Sequence, residues 1–91
     1  MAILITTNVK GQTAEGYDQV LNVLKELIQK SSGFVLHSSY EANDEWYVLE
    51  VWDSKKDADQ FFSLYVAPNI PKGIVPKRSY QELHSLVTPN S

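Results

Sequence analysis

A chain of 91 residues with 43% hydrophobic, 11% aromatic and 21% charged residues has globular composition and room for one small domain, residues 1–91. No apolar run approaches the ~20 residues of a membrane helix, and the absence of cysteine excludes disulfides, thiolate nucleophiles and thiolate metal sites. Net charge is −3 and the basic residues are scattered apart from Lys72, Lys77 and Arg78, so the basic footprint of a nucleic-acid binder is missing.

Ala2 to Val9 is an apolar run rich in β-branched residues, which predicts a central strand covered on both faces. Gly11 and Gln12 make a turn. Thr13 is placed to cap a helix whose first turn carries Glu15, favourably set against the helix dipole. Tyr17, Val20, Leu21, Leu24, Leu27 and Ile28 then recur on one helical face. Burying those six side chains would contribute about 1.5–3 kcal/mol each before conformational entropy is charged. The helix is expected to stop near Ser32, with Gly33 in the left-handed position beyond its end.

Phe34 to Glu41 and Trp46 to Trp52 have strand composition, and the tight-turn sequence Ala42-Asn43-Asp44-Glu45 joins them as a hairpin. Ser54 and Asp57 have capping-box spacing and precede Ala58, Phe61, Phe62 and Tyr65 at helical intervals, a second helix broken near Pro68. Pro68 to Pro76 holds three prolines and Gly73, and reads as a stiff loop able to act as a lid. Ser79 to Val87 is the expected last strand, and Thr88 to Ser91 is expected to fray.

The order βαββαβ predicts an α+β, ferredoxin-like sandwich with both helices on one face of an antiparallel sheet. The other face, with Tyr47, Leu49 and Val51 or their alternates, is too apolar for water. A domain this small also has a marginal core. Both considerations favour a homodimer in which two sheets close into an α+β barrel. The N-terminus carries no basic region ahead of an apolar stretch, so export is not expected and a cytoplasmic location without membrane partners is.

The segment Leu49-Glu50-Val51-Trp52-Asp53-Ser54-Lys55-Lys56-Asp57-Ala58, followed by Phe61 and Phe62, resembles the antibiotic biosynthesis monooxygenase-like family of dimeric α+β barrels. The resemblance implies this fold and a homodimer, and it says less of activity, because the family contains oxygenases, haem-degrading enzymes and many members of unknown function. Asn8 and Trp52 match residues that matter in the haem-degrading branch. That branch places an iron-binding histidine on the second helix, and Asp57 to Pro68 contains none, so haem ligation in that manner is not expected.

No glycine-rich phosphate loop, nicotinamide fingerprint, paired metal-ligand spacing or nucleophile elbow is present, so no cofactor is expected. Oxygen chemistry then requires an electron-rich substrate such as a phenol, hydroquinone or enol, which the protein deprotonates, orients and shields from water. Four residues are catalytic candidates, each beside a structural alternative. Trp52 either donates its indole N–H to a substrate oxygen or packs in the core. Asn8 either donates an amide to substrate or ends its strand by local bonding. Glu50 shares a strand face with Val48 and Trp52, and is either a desolvated base or a partner for a cation. His37, placed on a strand, is either a base or a satisfied structural histidine. Tyr65, Phe61 and His84, the last also placed on a strand, are candidates for substrate binding. Arg78 is either an anion clamp or a solvated strand start. A rival to the enzyme is a module of the same fold that binds a small ligand or only self-associates.

Overall fold

The computed structural model describes residues 1–89; the fraying expected for Asn90 and Ser91 lies outside them. Four strands, β1 (Ile3–Lys10), β2 (Phe34–Ala42), β3 (Glu45–Trp52) and β4 (Val75–Glu82), form one sheet in the order β2-β3-β1-β4, every neighbour antiparallel. Helices α1 (Ala14–Gln29) and α2 (Lys55–Phe61) complete the βαββαβ order of a ferredoxin-like α+β fold.

Local chemistry sets each boundary. The Thr13 hydroxyl accepts from the Gly16 N–H at the start of α1, and the Ser54 hydroxyl accepts from the Asp57 N–H at the start of α2. Gly33, at φ +83°, takes the left-handed turn after α1, and a Cβ there would collide with the Asp57 carboxylate. Asn43 and Asp44, at φ 53° and 62°, make a two-residue turn of the kind that matches strand twist, and both residue types tolerate that region. Such a turn leaves the β2–β3 register no freedom, and it sets His37 opposite Glu50.

The pleat divides the sheet. Ile3 and Ile5 on β1 and Trp52 on β3 pack against Ile28 of α1 and Ala58 and Phe61 of α2, so both helices lie on one face. Trp52 is fully buried, flanked by Phe34 at 5.4 Å and Phe61 at 5.7 Å between ring centroids. Leu4, Asn8, Leu36, Tyr40, Tyr47 and Leu49 share the other face, where Leu36 and Tyr40 stay more than 40% exposed. Val51 is buried even there, between Leu4 and Leu36 on its neighbours.

Four expectations need correction. The last strand is Val75–Glu82, because Val75 to Glu82 pair with β1 and Pro76 is tolerated on an edge strand. The stiff loop is correspondingly shorter, and His84 lies beyond the strand. The second helix runs on past Phe61 toward the break expected near Pro68, but as a π-helical turn (Phe62–Val66) and then a 3-10 turn (Ala67–Asn69). In the α1 stripe, Leu24 and Ile28 are buried but Leu27 is 41% exposed, since it lies off the line that faces the sheet.

Candidate active site

Four side chains from three elements form one hydrogen-bonded chain on the helix side of the sheet. His37 and Glu50 are a direct cross-strand pair, and the His37 Nδ1 lies 2.6 Å from a Glu50 Oε. Two residues further along β3 the side chain returns to the same face, so the Trp52 indole N–H donates to the other Glu50 Oε at 3.0 Å. The Tyr17 hydroxyl, on the first turn of α1, is 2.5 Å from His37 Nε2. An ionised Glu50 accepting from Nδ1–H fixes the tautomer, leaving Nε2 to accept from the Tyr17 hydroxyl.

Burial raises the Tyr17 hydroxyl above the ordinary phenol value, against a lowering bond from Ser39, and the charges of Glu50 and Asp18 raise it further. Tyr17 is therefore a neutral phenol at physiological pH, able to donate. Its ring is held by Trp46 at 5.2 Å and lies nearly parallel to His37 at 6.0 Å. The Trp46 indole N–H is buried without a partner.

This chain forms one wall of a cavity of ≈ 120 Å³ between the sheet and the helices. Tyr17, His37 and Glu50 line it, with Val20, Leu21 and Leu24 of α1 above and Thr7 and Val48 on the strands below. Phe61 and Phe62 form the α2 wall, Ile70, Pro71 and Ile74 of the following loop close one end, and Arg78 reaches in from β4. The lid expected of the proline-rich stretch thus borders the cavity. Among the described residues, no group of three His, Asp or Glu side chains converges as a metal site requires.

The site candidates separate clearly by position. His37, Glu50 and Phe61 line the cavity. Trp52 stands behind it, fully buried, with its N–H engaged by Glu50, so it meets the cavity only through that carboxylate. Asn8 lies on the opposite face of the sheet, where its amide donates to Glu45 at 3.3 Å, so the structure does not bring it together with Trp52. Tyr65 lines a separate, shallower hollow beside Ser31, Ser32 and Asp57. His84, beyond β4, is exposed and outside the cavity lining.

Two lining residues were underrated by the sequence. Tyr17 reads as the first member of an apolar stripe, although a hydroxyl there, above a His–Glu pair fixed by a two-residue turn, is a signal for it. Arg78 is not a solvated strand start: its side chain is 13% exposed.

A ferredoxin-like sheet with a cavity under its helices defines the class: the chain has the fold of the antibiotic biosynthesis monooxygenase-like proteins. Among solved structures it is similar to SnoaB, a cofactor-independent oxygenase from Streptomyces nogalater, with 12% identity, a TM-score of 0.67, and 97% of this chain and 96% of that chain covered. It is similar to Rv0793 from Mycobacterium tuberculosis, with 9% identity, a TM-score of 0.70, and 97% and 100% covered. A candidate antibiotic biosynthesis monooxygenase from Deinococcus radiodurans gives 17% identity and a TM-score of 0.68, with both chains covered completely. No family model matches the sequence, and no curated protein does.

Proposed function

We propose that the chain is a cofactor-independent monooxygenase-like enzyme that takes a small aromatic or enolic compound into the cavity and works as a homodimer. The observation that carries this reading is the hydrogen-bonded run Tyr17–His37–Glu50, braced from behind by Trp52, in the wall of a mostly apolar cavity. A partly buried acid–base relay facing a mostly apolar space is suited to removing a proton from a substrate that fills the space and displaces its water.

The Tyr17 oxygen takes the substrate proton as its own hydroxyl proton passes to His37 Nε2. Glu50 balances the imidazolium through Nδ1–H, and the Trp52 N–H holds Glu50 in place. The resulting enolate or phenolate gives one electron to dioxygen, and the radical pair joins to form a C–O bond. Loss of water from that peroxide breaks the O–O bond and leaves a carbonyl. For a substrate whose keto tautomer carries a CH2 group, one oxygen atom ends in the new carbonyl and the other in water. The substrate supplies all four electrons.

The homodimer is supported by the second apolar face, where Leu36 and Tyr40 remain open. The test of the enzyme is oxygen uptake with a panel of hydroquinones, polyphenols and enolisable ketones, beside a His37→Gln variant. Uptake by the wild type that falls about 10²-fold or more in the variant is expected. No uptake across the panel would leave a ligand-binding module of the same fold.

A further inference from the structure

The relay accounts for one wall of the cavity and leaves the opposite one unexplained. Arg78, the sole arginine in the chain, sits there on β4. Its side chain is 13% exposed, and its ion-pair partner is Asp59 at 3.6 Å, too far for a hydrogen bond. Asp59 is already engaged: one oxygen accepts from Lys55 at 2.7 Å and the other from the Tyr80 hydroxyl at 2.8 Å. Among the described residues, the guanidinium has no hydrogen-bond acceptor. It sits over aromatic carbon instead, 4.1 Å from the Phe62 centroid and 5.4 Å from that of Tyr80.

A largely covered cation at the edge of a mostly apolar cavity, whose donors meet solvent and one distant carboxylate, is left to be completed by an anionic ligand. The Phe62 ring restrains the planar fork, and with no hydrogen-bond acceptor engaged its paired N–H groups can match a carboxylate through two parallel bonds. From this we infer that Arg78 anchors a carboxylate, and that the substrate is a small hydroxyaryl or enolic carboxylic acid.

The sheet order sets the spacing. His37 is on edge strand β2 and Arg78 on edge strand β4, with β3 and β1 between them. Three interstrand steps separate the backbones by about 14 Å. Side chains reaching inward from both edges narrow that gap to roughly one ring with a substituent at each end. The cavity of ≈ 120 Å³ is smaller than the about 150 Å³ that holds benzene, so a single ring would fill it and the two polar substituents would lie at its ends. Carboxylate at Arg78 and hydroxyl at Tyr17 would orient the ring along the sheet.

The assignment rests on the cavity being the substrate site, and its test needs no turnover. Titration calorimetry without oxygen compares 3- and 4-hydroxybenzoate with 4-hydroxybenzamide and phenol, on the wild type, Arg78→Gln and Arg78→Lys. Thermal melts establish that each variant is folded, and Arg78→Lys retains a cation if Arg78→Gln does not fold. An acid should bind the wild type about 10- to 100-fold more tightly than the amide, the size of a charge-assisted bidentate contact. Arg78→Gln should erase that preference while amide affinity stays within about twofold, and Arg78→Lys should keep part of it. Acid and amide binding equally to the wild type, or a preference surviving in Arg78→Gln, would overturn the carboxylate assignment alone. No saturable binding by any of the four compounds would overturn it together with the substrate-site reading.

Discussion

Replacing Tyr17 with Phe deletes one oxygen and leaves the ring against Trp46 and His37, so it tests the relay with little change in packing. The variant loses one partly buried hydrogen bond to His37 Nε2, worth about 1 kcal/mol, which lowers the melting temperature by roughly 4–8 °C in a domain this size. Catalysis should suffer far more. With the group that meets the substrate proton gone, kcat should fall about 10²- to 10⁴-fold while KM changes little. Alkaline stability gives an independent readout. The folded chain holds the Tyr17 proton more tightly than the unfolded chain, so this contribution is whole below the ordinary phenol value of 10.0 and is lost as pH rises through the higher folded value. Tyr17→Phe should therefore lose stability less steeply than the wild type above about pH 10. The assays are oxygen uptake on a substrate from the panel and chemical denaturation from pH 8 to 11. A folded variant that keeps kcat within about threefold would remove Tyr17 from the proton path.

Trp52→Phe removes about 40 Å³ from a fully buried site and the donor to Glu50, costing roughly 1 kcal/mol for the cavity and about 1.5–3 kcal/mol for the charged hydrogen bond. Because Trp52 acts through Glu50, kcat should fall only about 10-fold, and a loss as deep as that of Tyr17→Phe would point instead to direct substrate contact. Light scattering at micromolar concentration should give about twice the chain mass of 10.3 kDa, and Leu49→Lys on the open face should shift it toward one chain; a stable wild-type monomer would refute the dimer. Burial pushes the Asp59 carboxyl up, but bonds from Lys55 and Tyr80 and the charges of Lys55 and Arg78 together hold it below the ordinary 3.8. Its contribution is present above that value and lost as pH falls through the lower folded value, so Asp59→Asn should flatten acid unfolding below about pH 4, and an unchanged profile would contradict it.

Element order and type were legible because each element carried its own punctuation. Thr13 and Ser54 cap the helices, Gly33 ends one, and Asn43-Asp44 closes the hairpin. The last strand was misplaced because Pro76 looks like a loop residue until an edge position is granted to it. The site was only half legible. Glu50 and Trp52 follow from alternation along one strand, but Asn8 was grouped with Trp52 by resemblance, and the pleat puts them on opposite faces. Tyr17 was hidden because a tyrosine at the head of an apolar stripe looks like core, and its hydroxyl gains meaning only from the His37–Glu50 pair beneath it. Arg78 stayed open between an anion clamp and a solvated strand start because nothing local in Lys77-Arg78 tells that Phe62 will cover the guanidinium.

The cavity explains why so apolar a helix buries so little. Tyr17, Val20, Leu21, Leu24 and Ile28 all line the hollow, and of these only Leu24 and Ile28 are buried. A sequence selected for stability alone would fill the hollow with one larger side chain. The sheet's other face is also unfinished, and β3 belongs to both: Glu50 and Trp52 point to the cavity, while Leu49 and Val51 point the opposite way. A ligand under the helices and a second copy on the open face would therefore steady the same strand. Either would hold Glu50 at the position from which it sets the tautomer of His37.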